Sequence, residues 1–253
     1  MFRDNLFMIT CAARTGSTLL TSYLQSHPDI LCHGEIYAPS HVNDLLGRYS
    51  IRNRPGTGLD QALLHYRNTH PYHFLYKIAW DTQGRKVAGF KLKHDELVQP
   101  RMARVRHIVQ EDQDIKIIHL RRQNSLARYL SWYVVNHVTG VTMRLEGQEI
   151  PVVKPVRLQP LECLANFEET DRQYSFFQKL FTGHPIYEVS YEELVSQRSQ
   201  TILAEIQAFL GISQQVMTTR MLKLSSDNLN EAIENFDELK DFFKGTKYAS
   251  FFE

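Results

Sequence analysis

A short segment rich in hydroxyl side chains follows the first apolar run of the chain and has the composition of an anion-binding loop. It reads CAARTGST over residues 11–18. Gly16 lets the backbone turn and approach a ligand, and a helix starting there would present unpaired N–H groups. Arg14 adds a planar cation suited to phosphate or sulfate. The segment predicts an anion site formed by Arg14, Thr15, Gly16, Ser17 and Thr18, with an arginine beside an ordinary capped helix as the alternative.

This loop differs from the phosphate-binding loop of nucleoside triphosphatases, whose pattern is G-x-x-x-x-G-K-[ST]. Cys11 stands in place of the first glycine, and Ser17 stands in place of the lysine. The differences disfavour a nucleotide kinase, which stays the alternative within enzymes. A non-catalytic nucleotide- or glycan-binding module is the alternative outside them. We see no carboxylate pair suited to Mg²⁺ and expect no metal.

A second basic segment follows the clearest apolar strand, IKIIHL, over residues 115–120. Arg121 and Arg122 come next, and Ser131 lies nine residues after Arg122. Two cations and a hydroxyl predict a second anion position. Ser131 could instead bond a preceding helix carbonyl. We assign the function to Arg122 and interpret Arg128 as a solvated helix-end residue.

The elements that must position these residues alternate between strand and helix. Apolar runs predict strands over residues 6–12, 30–32, 87–92, 115–120 and 186–189. Amphipathic spacing predicts helices over residues 17–26, 97–110, 123–138, 161–181 and 193–210, with Asn124 or Ser125 and Gly211 as end signals. Residues 141–160 are expected to form a surface excursion with a hairpin around Glu146-Gly147. The alternation predicts an α/β fold with a mostly parallel sheet between helices.

Composition places few limits on function beyond those of an ordinary globular protein. The chain has 253 residues, and 29 Lys and Arg against 28 Asp and Glu give a formal net charge of +1. This balance provides no field for non-specific nucleic-acid binding. Neither an 18-residue apolar run nor a signal peptide is evident, and the three cysteines lack metal or redox spacing. We expect one domain over residues 1–253, without a membrane span, in the cytoplasm.

Four segments together resemble the PAPS-dependent sulfotransferases, and the likeness is closest to the bacterial nodulation-factor type, which sulfates a chito-oligosaccharide lipid. They are ARTGSTLL, KIIHLRRQNSLARYLS, VSYEEL and NFDELKDFFKGTKYASFFE. The resemblance implies a P-loop-like three-layer fold with 3′-phosphoadenosine 5′-phosphosulfate (PAPS) as sulfuryl donor. It implies that residues 14–18 hold the 5′-phosphosulfate and that Arg122 and Ser131 hold the 3′-phosphate, with Arg121 as the alternative to Arg122.

Sulfuryl transfer also needs a general base for the acceptor hydroxyl and a cation for the leaving oxygen. Glu35 follows the second predicted strand and is our candidate base, because the family places a glutamate of a Gly-Glu pair in that role. His33 is the alternative base. Lys91, at the end of the third strand, is the candidate cation, and Lys93 points to the same side by strand alternation. The family likeness favours Lys91, with a surface lysine as its alternative interpretation. Tyr191 is expected to border the adenine or to belong to the core.

The likeness implies a saccharide or glycolipid acceptor. Residues 66–76, YRNTHPYHFLY, are rich in aromatic and histidine side chains. They could line an acceptor groove, because aromatic rings pack against sugar rings. Alternatively, they form a helix and loop packed on the core.

Overall fold

A parallel five-stranded sheet organises the larger part of the chain. This computed structural model describes residues 6–39, 42, 45–49, 58–149, 152–222 and 228–253. The strands are β1 (Leu6–Cys11), β2 (Ile30–His33), β3 (Val87–Lys93), β4 (Lys116–Arg121), β5 (Arg144–Leu145), β6 (Ile186–Ser190) and β7 (Met221–Leu222). The main sheet has the order β2-β3-β1-β4-β6 with every neighbouring pair parallel. The predicted α/β fold with a mostly parallel sheet is confirmed.

Eleven α-helices occur in the described residues. They are α1 (Ser17–Gln25), α2 (Gly58–Thr69), α3 (Pro71–Phe74), α4 (His94–Leu97), α5 (Ala103–Glu111), α6 (Ser125–Val134), α7 (Pro160–Leu180), α8 (Tyr191–Leu194), α9 (Ser199–Leu210), α10 (Leu229–Ala232) and α11 (Phe236–Phe243). Two π-helical turns, Leu75–Ala79 and Val135–Thr139, directly follow α3 and α6. No helix in these ranges has the length and apolarity that a membrane crossing requires.

The core lies on both faces of the sheet, as the alternation of side chains along β1 shows. Phe7, Ile9 and Cys11 belong to one buried cluster, which α1 and α9 cover, whereas Leu6 and Met8 belong to the cluster on the other face. The second cluster is covered by residues of α3, α5 and the last turns of α7. Because both faces are covered, the strands are nearly continuous apolar runs.

The chain divides into two compact units, and each is described by itself. The first comprises Met1–Arg121 and Phe177–Thr219, and the second comprises Arg122–Phe176 and Arg220–Glu253. One domain over residues 1–253 stays a prediction. In the second unit, α6, α7 and α11 pack around aromatic side chains that include Phe167, Phe243 and Tyr248.

Two predicted helices are shorter than expected. The helix predicted over residues 97–110 is interrupted, because Pro100 lacks an N–H group and holds Gln99 in an extended conformation before α5 begins. The helix predicted over residues 193–210 is split into α8 and α9. Between them, Ser196 Oγ donates to the Glu193 carbonyl and accepts from the Arg198 N–H, which replaces helical hydrogen bonds.

The hairpin predicted around Glu146-Gly147 is wrong, although a turn does occur there. The described strand before it, β5, pairs with the distant β7 in antiparallel orientation. The turn is closed by a hydrogen bond from Gln148 N to the Leu145 carbonyl at 3.1 Å. This pairing could not be predicted, because β5 and β7 are far apart in the sequence and a two-residue strand has no detectable periodicity.

Candidate functional site

The predicted anion loop joins β1 to α1 through an unusual backbone path. Arg14 has φ 66° and Gly16 has φ 86°, so two of its residues lie in the left-handed region. Thr15 is buried, and its hydroxyl donates to the Ala12 carbonyl at 2.9 Å, which closes the loop on itself. Turns of this kind point successive N–H groups into a concave site that suits anions. The nine-residue helix α1 adds its own N-terminal N–H groups.

Tyr191 packs directly against this loop. A Cβ atom added to Gly16 would lie 2.4 Å from Tyr191 Cδ2, so a side chain at position 16 would collide with the ring. The ring is held because Tyr191 begins α8, whose capping box joins Ser190 and Glu193. The structure therefore brings Tyr191 to the loop predicted to bind the phosphosulfate.

Lys91 connects three elements at the carboxyl ends of the parallel strands. Its ammonium donates to Thr18 Oγ1 at 3.1 Å and lies 2.9 Å from Glu35 Oε1. Only 3% of Lys91 is exposed, so this cation is not a surface lysine. Lys91, Thr18 and Glu35 were each predicted as site residues, and the structure brings them together.

Glu35 lies between two ammonium groups. Its Oε2 atom is 3.3 Å from Lys93 Nζ, while Oε1 faces Lys91. Burial by itself would raise the pKa of the Glu35 carboxyl, but the combined charges of Lys91 and Lys93 hold that pKa below its ordinary value. Glu35 is therefore ionised near neutral pH and able to accept a proton.

His33, the alternative base, is fully buried at the end of β2. Its Nδ1 atom accepts a hydrogen bond from Leu46 N at 3.0 Å. Burial lowers the pKa of His33 to about 4. The ring is therefore neutral at physiological pH, with Nδ1 already engaged by the backbone.

Arg67 and Arg101 hold the backbone that follows Glu35, and sequence reasoning missed both residues. Arg67 Nη1 donates to the carbonyls of Ile36 and Ala38 at 2.8 and 3.0 Å, and Arg101 Nη2 donates to the Tyr37 carbonyl at 2.9 Å. Arg67 is buried on the core-facing side of α2. The one available signal was its position four residues after Leu63, at helical spacing on an apolar face.

The second unit contains the residues predicted to hold the 3′-phosphate. Ser131 is buried on α6, and Arg122 precedes that helix. Asn124 caps α6 by accepting from Ala127 N at 2.9 Å, which selects it over Ser125 as the N-cap.

Arg128 is buried, and its interpretation as a solvated residue is wrong. Only 4% of it is exposed, because the side chain turns toward α7, where Nη2 donates to Thr170 Oγ1 at 2.6 Å and to Asn166. Burial, together with the nearby charge of Arg122, lowers the pKa of Arg128 to about 10. A buried arginine therefore lies near Arg122 in this unit.

The aromatic residues between positions 66 and 76 form a partly exposed surface. Tyr66 stacks on His70 at 4.7 Å between ring centroids, and its hydroxyl is 2.7 Å from His73 Nδ1. Tyr72, which is exposed, lies 4.6 Å from the Tyr76 ring. The same segment also packs on the core through Phe74, so both interpretations of these residues hold in part.

Side chains of the types that can ligate metals do not cluster in the described part of the chain. Within the described ranges, no group of three or more His, Cys, Asp or Glu residues is arranged to hold a metal ion. Cys11, Cys32 and Cys163 are free and buried.

Comparison with known proteins identifies the family to which this chain is similar. The model of the Sulfotransferase family matches residues 7–215. The chain is 28% identical to Nodulation protein H of Rhizobium tropici over 253 residues, which cover 98% of the chain and 92% of that protein. It is 24% identical to Nodulation protein H of Rhizobium meliloti (strain 1021), with 98% and 94% covered.

Two solved structures are similar over most of the chain. One is the sulfotransferase domain of the Synechococcus PCC 7002 olefin synthase, with TM-score 0.46, 17% identity, and 92% of this chain and 82% of that chain covered. The other is mouse sulfotransferase SULT7A1 complexed with PAP, with TM-score 0.42, 14% identity, and 99% and 75% covered.

Proposed function

The chain belongs to the sulfotransferase family and is a PAPS-dependent sulfotransferase, and from that premise we propose that it sulfates a hydroxyl group of a saccharide or glycolipid. In the proposed reaction the acceptor oxygen attacks sulfur while the bond from sulfur to the phosphate oxygen breaks. The acceptor proton passes to Glu35. The products are the sulfate ester and 3′-phosphoadenosine 5′-phosphate.

In this proposal, two sets of residues bind PAPS. Residues 14–18, called the donor loop, bind the 5′-phosphosulfate through backbone N–H groups, hydroxyls and the Arg14 cation. Arg122 and Ser131 bind the 3′-phosphate. Tyr191 keeps the first loop in shape, because its ring packs on Gly16, and it borders the adenine.

The ion pair between Lys91 and Glu35 carries the proposal. Lys91 bonds both to Thr18 of the donor loop and to the carboxylate of Glu35. One cation next to the donor loop therefore neighbours the candidate base directly. Such a cation stabilises the negative charge that develops on the leaving oxygen, while the base removes the acceptor proton.

Glu35 is preferred to His33 as the base on chemical grounds. The Glu35 side chain is 27% exposed, whereas His33 is fully buried and its Nδ1 accepts from Leu46 N. A general base must come within hydrogen-bond distance of the acceptor proton. Partial exposure gives Glu35 that access.

The proposed acceptor class rests on the relatives and on the aromatic surface. The chain is similar over its length to two proteins named Nodulation protein H, and its resemblance to the nodulation-factor type implies a chito-oligosaccharide lipid as acceptor. Tyr72 and Tyr76 present neighbouring rings next to the helix whose Arg67 holds the Glu35 loop. Aromatic rings at such a position suit the faces of sugar rings.

A transfer screen tests this function. The purified chain is incubated with ³⁵S-labelled PAPS and panels of chito-oligosaccharides, glycolipids and simple phenols. We expect label on the saccharide or glycolipid panel, and no transfer when adenosine 5′-phosphosulfate, which lacks the 3′-phosphate, replaces PAPS at the same concentration. Transfer confined to phenols would contradict the acceptor class.

A further inference from the structure

Lys93 lies between two carboxylates at the carboxyl end of β3. Its Nζ atom is 3.3 Å from Glu35 Oε2 and 3.3 Å from Glu96 Oε1. Glu96 is 2% exposed, and its second oxygen accepts a hydrogen bond from Lys93 N at 3.1 Å. Glu96 therefore holds both the backbone and the ammonium of Lys93.

The two oxygens of Glu35 have different partners. Oε1 faces Lys91, which also bonds Thr18 of the donor loop, whereas Oε2 faces Lys93. In the proposed reaction, Lys91 serves the leaving oxygen. None of the contacts described for Lys93 is with residues 14–18. Its ammonium lies instead between the carboxylates of Glu35 and Glu96.

We propose that Lys93 is a positioning residue, which Glu96 holds in place, and that it orients Glu35 and sets the pH range in which Glu35 accepts the acceptor proton. This inference rests on the proposed function, because it takes Glu35 as the base. Lys93 acts through Glu35 and needs no contact with donor or acceptor.

Titratable groups on two strands and one helix lie around the pair formed by Glu35 and Lys93. Lys91 and Lys93 face it from β3, Glu96 and Asp95 belong to α4, and the Cys11 thiol lies on β1. Burial opposes the charge of Lys93, but Glu96, Glu35 and Asp95 together raise its pKa above the ordinary value. Lys93 therefore stays charged wherever the carboxylates titrate.

The two carboxylates that share Lys93 are affected in opposite directions. Burial raises the pKa of Glu96 against the opposing charge of Lys93, while the pKa of Glu35 is lowered by its two lysines. As the pH falls, Glu96 therefore takes up its proton before Glu35 does, and its charge is absent in the range where Glu35 titrates. Loss of Lys93 therefore raises the pKa of Glu35, whereas substitution of Glu96 by glutamine leaves it nearly unchanged.

The test compares Lys93→Met with Glu96→Gln in the full chain. Carbon-13 NMR follows the titration of the Glu35 carboxyl in the free enzyme, with its signal assigned by its loss in Glu35→Gln. The pH dependence of kcat/KM for sulfate transfer is measured on the same variants. We expect Lys93→Met to raise the pKa of Glu35 by about 1–3 units, the size of effect that one close charge produces. We expect Glu96→Gln to leave it nearly unchanged, because Glu96 is already protonated where Glu35 titrates.

Two further variants control for structural damage. Lys93→Arg keeps the charge and should leave the pKa of Glu35 near its original value, even if it changes the local packing. Lys86→Met removes an exposed lysine that pairs with Asp29 at 2.8 Å just before the same strand. It should change neither the titration nor the pH profile.

The outcomes distinguish a failure of this inference from a failure of the proposed function. A rise of the Glu35 pKa in Lys93→Met that is absent from Glu96→Gln and Lys93→Arg, and that the acidic limb of kcat/KM follows, supports both. No rise in Lys93→Met, or an equal rise in Lys93→Arg, overturns the role of Lys93. If the Glu35 pKa rises in Lys93→Met but the kinetic limb does not move, Lys93 controls the Glu35 carboxylate as proposed, and Glu35 is not the base.

Discussion

Glu35 differs from an ordinary surface carboxylate because each of its oxygens faces an ammonium group. This arrangement keeps it ionised but makes it a weak base while both lysines are present. In the proposed reaction, the leaving oxygen competes with Glu35 for Lys91. Glu35 becomes more basic as negative charge develops on that oxygen, so a single lysine couples the base to the leaving group.

Two buried histidines on separate strands of the sheet, β2 and β4, make stability depend on pH. Burial lowers the pKa of both His33 and His119 to about 4, from an ordinary value of 6.5. The unfolded chain therefore binds more protons than the folded chain between these values. The stability that the neutral rings contribute is complete above pH 6.5 and is lost as the pH falls toward 4.

We expect the free energy of unfolding to fall across this window by up to about 3 kcal/mol for each histidine. Urea unfolding at a series of pH values measures it. His119→Leu should flatten the dependence, because one of the two groups is removed. His107→Gln, which changes an exposed histidine of α5, should leave the slope as it is. An unchanged slope in His119→Leu would contradict this account.

At the scale of elements, α2 positions the loop that carries Glu35. Arg67 Nη1 binds two carbonyls of that loop, and the guanidinium lies 5.3 Å from the centroid of the Tyr37 ring. A residue remote in sequence thus fixes the backbone immediately after the candidate base. The single nitrogen Nη1 can do this because it carries two N–H groups, one for each carbonyl.

Arg67→Met tests this role, because methionine fills a similar space without donors. We expect the free energy of unfolding to fall by about 2–4 kcal/mol, since two buried carbonyls lose a charged donor. We also expect kcat to fall while the dissociation constant for PAPS stays the same. Arg104→Met, at an exposed position of α5, is the matched control. A normal kcat in stable Arg67→Met protein would remove Arg67 from the positioning of Glu35.

The sequence predicted the elements of the sheet well, and for a physical reason. Strands such as β1 and β4 are buried on both faces, so their apolar runs end abruptly at turn residues. The loop between β1 and α1 could be recognised from the sequence, because a glycine followed by hydroxyl residues between a strand and a helix is typical of an anion-binding turn. Helix ends set by side-chain hydrogen bonds, as at Ser196, could not be predicted from periodicity.

Long-range partners of the site were harder to predict. Nothing local to Arg128 indicates that it turns toward Asn166 and Thr170 on α7, since its neighbours on α6 have ordinary helical spacing. Asn235 shows the same limit: its amide exchanges two hydrogen bonds with the backbone of Leu158, which lies 77 residues earlier in the chain and is not indicated by any local pattern.

At the scale of the whole molecule, positive and negative side chains are nearly equal in number, but individual cations are buried at particular places. A net charge of +1 coexists with a buried Lys91 beside the donor loop and a buried Arg128 in the second unit. In the proposed function, a local cation such as Lys91 serves an anionic donor without giving the surface a general attraction for polyanions.

The most direct test of the account is single-turnover transfer by Glu35→Gln with labelled PAPS already bound. Single turnover is needed because product release can limit kcat and hide a defect in the chemical step. Glutamine keeps the size of the side chain but cannot take the proton. Glu111→Gln, at an exposed position of α5, controls for the loss of a carboxylate. We predict that Glu35→Gln binds PAPS and acceptor normally and transfers sulfate about 10²–10⁴-fold more slowly, and a rate close to that of the unaltered enzyme would contradict the account.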